Sequence, residues 1–157
     1  MKKLVLVCFI LSMILSVFGI MYYLNTKSEE KDRQKINLVL TKMIDDNHFG
    51  IIDKVDLSLI TMSKWDRFYI FQPYTVPEKI DNVLGKFWIG ARFSDIKSSD
   101  QINLLVFTNK TKVVQFLEFP RSAGDFAFAV NDSGYSILES QFVADENKRM
   151  VWLFAKE

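Results

Sequence analysis

The sequence predicts an α+β chain: an N-terminal transmembrane helix, then an antiparallel β-sheet packed with one or two helices. Three observations carry that expectation. An uncharged apolar run extends from Leu4 to Leu24. Apolar residues then recur at helical spacing over 28–46. Beyond residue 51, β-branched and aromatic segments alternate with turn residues. The chain beyond the apolar run and its charged flank has roughly 120 residues, enough for one small core and not two.

In residues 4–24 only Ser12, Ser16 and Gly19 fall outside the apolar set. At about 1.5 Å per residue, such a helix spans a hydrocarbon core of about 30 Å. Met1-Lys2-Lys3 gives it a positive start, and Tyr22-Tyr23 stand at its far edge, where aromatic rings favour the interface. A cut after Gly19 would have Val17 two positions earlier, a poor small-x-small site, so the run reads as an uncleaved signal anchor. Cys8, the one cysteine, lies inside it and reads as a membrane-buried apolar residue. The lysine-first layout places the remainder outside the cytoplasm. A cysteine-free domain of this kind points to a single-pass protein of the bacterial inner membrane. The expected organisation is an anchor over 1–24, a charged juxtamembrane segment over 25–35 and one extracytoplasmic domain over 36–157. Asn109-Lys110-Thr111 and Asn131-Asp132-Ser133 match the glycosylation sequon but read as turns.

Thr26-Lys27-Ser28-Glu29 is a capping-box pattern, and Ile36, Val39, Leu40, Met43 and Ile44 follow at helical spacing. They predict a helix over about 28–46, either separate from the span or continuous with it, its stripe docked on the domain's own sheet rather than on a partner helix. Residues 51–60 and 64–72 read as strands, the second closed by Pro73-Tyr74. Thr75-Val76-Pro77-Glu78 is a second capping box, and Gly85 ends its short helix, with Ile80, Val83 and Leu84 facing inward. Residues 94–100 read as a polar loop. Residues 103–107 and 112–119 read as a hairpin, 126–130 as a strand, and 135–144 with 149–155 as a final pair.

Twenty Lys+Arg against 19 Asp+Glu exclude a basic nucleic-acid binder. With one histidine, His48, and one cysteine, a zinc site built from His and Cys is excluded, and no nucleophile motif accompanies His48. Phosphate-loop, dinucleotide and calcium-loop motifs are missing, so no cofactor or metal is expected. Asp53 and Asp56 read as surface charges.

Two stretches stand out. In Trp65-Asp66-Arg67-Phe68-Tyr69-Ile70-Phe71-Gln72-Pro73-Tyr74-Thr75, Asp66 shares a strand face with Phe68 and Ile70. Such an acid either pairs or caps a turn, or has its pKa raised at a cleft. In Glu118-Phe119-Pro120-Arg121-Ser122-Ala123-Gly124-Asp125-Phe126, charge, Pro and Gly collect at a strand end. There Arg121 and Asp125 either lock the loop, with Gly124 at positive φ, or position a ligand. The candidate binding or motif residues are therefore Asp66, Tyr74, Glu118, Arg121 and Asp125. W-D-x-x-Y-I-F-x-P-Y-T, a short helix ending L-G, and a later E-F-P-R-x-x-G-D-F resemble a group of small bacterial envelope proteins that are membrane-anchored or lipidated. The resemblance covers about 65–126 and implies an autonomous small domain without a catalytic assignment. The expected function is a non-catalytic, membrane-tethered domain that binds an envelope protein, as an immunity or inhibitor protein does. An accessory subunit of a membrane complex would instead leave the 28–46 stripe exposed. A glycan-acting enzyme would bring two of Asp66, Glu118 and Asp125 within about 5–10 Å in an open pocket.

Overall fold

A computed structural model describes residues 2–51, 54–59, 64–144 and 153–155, with the side chains of 2–9, 22, 24–26 and 153–155 outside that description. The chain divides into two compact units, residues 1–35 and 36–157. Helix α1, Lys2–His48, supplies the first unit and opens the second. No break occurs at the Thr26-Lys27-Ser28-Glu29 box, so that pattern does not start a helix. The side chains described between residues 10 and 21 are exposed. The transmembrane expectation for 4–24 is not met among the described residues, where no helix is long and apolar enough to cross a membrane.

In the second unit the expected α+β architecture is present. Strands β2 (Arg67–Phe71), β3 (Ile102–Asn109), β4 (Lys112–Pro120) and β5 (Tyr135–Ser136) form an antiparallel sheet of order β4-β3-β2-β5. A smaller antiparallel sheet has the order β1-β6-β7, from Val55–Asp56, Gln141–Ala144 and Leu153–Ala155. Strand alternation sorts the four-stranded sheet into two apolar faces. Phe68, Ile70, Leu105, Phe107, Leu117 and Phe119 share one face with Phe126, Phe142 and the α1 residues Ile36, Leu40 and Ile44. Phe71, Leu104 and Val106 line the other, beneath helices α2 (Pro77–Leu84) and α3 (Gly90–Phe93). Strand β3, between β4 and β2, is buried from 103 to 108, as a strand covered on both faces should be. The α1 stripe is therefore docked on the domain's own sheet. Its three buried residues contribute on the order of 5–9 kcal/mol before the entropy of ordering.

Local chemistry explains the remaining elements. Pro77 opens α2 without a wasted donor, and Gly85 closes it at φ 68°. The expected capping box is absent: Val76 is the N-cap, and the Thr75 hydroxyl donates to the Gln72 carbonyl at 2.6 Å, closing the Pro73-Tyr74 turn. Residues 51–60 yield a two-residue strand and a 3-10 turn, Leu57–Leu59; residues 52–53 and 60 lie outside the described residues. The polar loop at 94–100 contains a 3-10 turn, Asp95–Lys97, which Ser94 caps and which buries Ile96. The strand expected over 126–130 is a 3-10 turn, Ala127–Ala129, because Asp125 Oδ1 accepts the Ala127 amide (3.0 Å) and coils the chain. Of the final pair, 135–144 is broken by a 3-10 turn at Ile137–Glu139, and residues 145–152 lie outside the described residues. Both sequon stretches are turns: Lys110 sits at φ 56°, and Asn131 Oδ1 accepts the Ser133 amide at 2.9 Å.

Candidate functional site

Each residue singled out by sequence has a definite place. Asp66 precedes β2 and is exposed, not set among apolar neighbours. The strand begins at Arg67, so the alternation that would turn Asp66 inward does not reach it. Its Oδ2 accepts the amide of Lys110 at 2.6 Å, and its own amide donates to the Thr108 carbonyl at 2.8 Å. It thereby holds the β3–β4 turn, where Lys110 adopts a left-handed conformation. Capping a turn is the role the structure selects.

Glu118 projects from β4 opposite Leu104, towards the α2–α3 side of the sheet. Its Oε1 accepts from Ser94 Oγ (2.7 Å) and the Asp95 amide (2.8 Å), fixing the 3-10 turn after α3. Asp125 is fully buried. Its Oδ2 accepts from Arg121 Nε at 2.8 Å and from Nη2; its Oδ1 takes the Ala127 amide and, at 3.4 Å, Asn103 Nδ2. Arg121 Nη1 donates to the Asp100 carbonyl at 2.9 Å. The hydrogen bond to Asp125 raises the Arg121 pKa above its ordinary value, against a lowering by burial. The pair locks the loop after β4. Gly124 is not at positive φ, correcting that expectation; an added Cβ would meet Ile44 Cδ1 at 2.7 Å, so glycine serves close packing.

The three acids do not gather. Asp66 works beside Thr108 and Glu118 beside Leu104, four residues or about 13 Å apart along β3. Asp125 bonds Asn103, whose neighbour Leu104 faces the other side of the sheet. Among the described residues no group of His, Cys, Asp and Glu could hold a metal ion. Asp56 accepts from Ser58 and Gln141, while Asp53 lies outside the described residues. His48 ends α1 half-buried, edge-on to Phe49, with Nδ1 lacking a hydrogen-bond partner.

Tyr74 differs from the others. It sits at φ 64°, a conformation that strains a bulky residue, yet the residue is 61% exposed. Its amide donates to the Ile96 carbonyl at 2.7 Å, which ties it to the turn following α3. That neighbourhood carries surface apolar residues that sequence reasoning missed: Phe87, Ile89 and Phe93 are 67%, 55% and 82% exposed. Trp88 and Ala91 turn inward between them, Trp88 edge-on to Phe116 with centroids 5.2 Å apart. The segment is pinned: the Trp88 amide donates to Asp81 Oδ1 (2.8 Å), Arg92 pairs with Asp81, and its guanidinium lies 4.4 Å from the Phe87 ring centre. A second exposed apolar group, Leu59 with Ile137 and Leu138, lies where two 3-10 turns abut and the Leu57 amide donates to the Ser140 carbonyl. The alternation of inward Trp88 and Ala91 with outward Phe87, Ile89 and Phe93 emerges from the fold. Compared with protein-family models, curated proteins and solved structures, the chain matches none.

Proposed function

We propose that the protein is a membrane-tethered, non-catalytic binding domain of the bacterial envelope, anchored through residues 4–24, with residues 36–157 outside the cytoplasm and an envelope protein as its ligand. The observation that carries this reading is the uncharged run of 21 residues, read with the ~30 Å thickness of a hydrocarbon core. Helical backbone runs through that stretch as part of α1. The lysine-first N-terminus supports the orientation. The binding reading is supported by what the motif residues do: Asp66, Glu118, Arg121 and Asp125 each bond internally and brace a turn, leaving exposed apolar side chains as contact surface. The accessory-subunit reading requires an exposed α1 stripe; Ile36, Leu40 and Ile44 are buried and Met43 partly so, leaving Val39 as its exposed member. Kinship with the envelope group sharing W-D-x-x-Y-I-F-x-P-Y-T is part of the same proposal.

The test is carried out in intact cells. The full chain should stay with carbonate-washed membranes, and its C-terminal domain should be cut by protease added to spheroplasts. A photo-crosslinker at Leu138, 89% exposed, should then form an adduct with one discrete envelope protein, whereas one at Lys112 should not. Release of the full chain by carbonate would refute the anchor. Identical adduct patterns at both positions would refute the binding surface.

A further inference from the structure

We infer that the segment around α3 is a second, weak membrane contact: Phe87, Ile89 and Phe93 enter the interfacial layer of an anionic bilayer. Tyr74 and the cations Lys86 and Lys97 lie at the headgroups. This rests on the tethered reading above, because a domain already held at a bilayer needs only a shallow second contact to be oriented there.

Three arguments favour lipid over a protein partner. The first is area. Three side chains of this size, between half and four-fifths exposed, offer roughly 400 Å², about half of what each side of a stable protein interface buries. The second is chemistry. Apolar rings and an aliphatic side chain flanked by lysine, with tyrosine beside them, are what the layer between headgroups and acyl chains accepts. Lys86 and Lys97 form no ion pair with a carboxylate among the described residues, Lys97 Nζ donating to the Arg92 carbonyl at 3.3 Å; Arg92 is held by Asp81 and Glu78, and the exposed Asp95 offsets one of the two lysines. The third is Tyr74. The exposed residue stands beside this loop at a strained φ of 64°, an interfacial side chain where glycine would fit the backbone without strain. The loop is also rigid enough to insert without reordering. Trp88 packs on the sheet, and a Cβ added at Gly90 would collide with the Trp88 ring, so the turn has little freedom to fold its outer residues away.

The experiment uses the full chain carrying Cys8→Ala, with an environment-sensitive NBD label at Phe93→Cys or, as control, at Lys112→Cys. Each is reconstituted into vesicles of phosphatidylethanolamine with phosphatidylglycerol as the anionic minority. The label at 93 should shift its emission to shorter wavelength and lose intensity to brominated acyl chains; the label at 112 should do neither. Adding Phe87→Ser and Ile89→Ser should reverse the response at 93 while the circular dichroism of the domain is unchanged. A label at 93 that behaves like the one at 112 overturns the inference. So does a shift at 93 without quenching by the brominated lipids, the sign that a protein covers the loop. Flotation of the same vesicles reads the anchor separately. A chain that fails to float refutes the tether, and the inference then stands or falls on whether added vesicles quench the label at 93.

Discussion

Replacing Arg121 by alanine should destabilise the domain by about 3 kcal/mol, because it strands the carboxylate of Asp125 in a site with no access to water. Removing one partner of a buried ion pair typically costs about 3–5 kcal/mol. The lower end applies here, since Asp125 keeps the Ala127 amide and Asn103 Nδ2, and the Arg121 side chain is 25% exposed. The decisive measurement is a double-mutant cycle. Asp125→Asn keeps an oxygen for the Ala127 amide and removes the charge, so adding Arg121→Ala to it should cost about 1 kcal/mol or less. The coupling is then about 2 kcal/mol, within the range expected of residues in direct contact. Urea unfolding of the full chain, followed by emission of the buried Trp65, gives each corner of the cycle. Additive single effects would refute the argument, as would an Arg121→Ala variant as stable as its parent.

Three further outcomes are expected. Gly124→Ala should cost about 1–3 kcal/mol through its collision with Ile44 Cδ1, and adding Ile44→Val, which deletes that atom, should recover most of the loss in the same unfolding assay. Tyr74→Gly should raise stability by roughly 1 kcal/mol by removing a bulky residue from the left-handed region; an unchanged or lower melting temperature would show that the ring packs. Glu139, whose carboxylate accepts from Ser136, has its pKa lowered by that side-chain hydrogen bond and by the Ser136 amide. The stability it contributes is therefore complete above about pH 4.3 and lost as pH falls through the lower folded value, a decline that Glu139→Gln should remove from a pH series of melting temperatures.

How much is legible in the sequence depends on the range over which each residue acts. Helix α1's stripe, the closing Gly85, the β3–β4 hairpin and the Arg121–Asp125 pair are set by neighbours a few positions apart, and periodicity or turn chemistry finds them. Residues 126–130 mislead because Phe-Ala-Phe-Ala-Val alternates as a strand does, while a carboxylate one residue upstream coils it. The Ser136–Glu139 capping box is present as S-x-x-E, but Ile137 and Leu138 between its ends look like strand interior. Asp66 requires knowledge of a contact 44 residues away, beyond any local pattern. The exposed side of α3 is illegible for the same reason: whether Phe87 or Trp88 faces the sheet depends on where Phe116 stands.

The motif residues and the exposed residues divide the work. Asp66 braces one hairpin turn, Glu118 the turn after α3, and Arg121 with Asp125 the loop into the next 3-10 turn; none of their bonded carboxylate oxygens is offered to a ligand at an open cleft. A motif built from turn braces specifies a scaffold, because each brace fixes backbone geometry and is indifferent to what binds elsewhere. In this chain the motif residues therefore fix the sheet and its loops, and what the chain contacts is set elsewhere. Tyr74 is the exception within the motif, since its backbone is strained and its ring is outside. What the chain contacts should then be sought at Tyr74 and at the outward positions 87, 89, 93 and 138, where substitution is cheap for the fold and changes the surface directly.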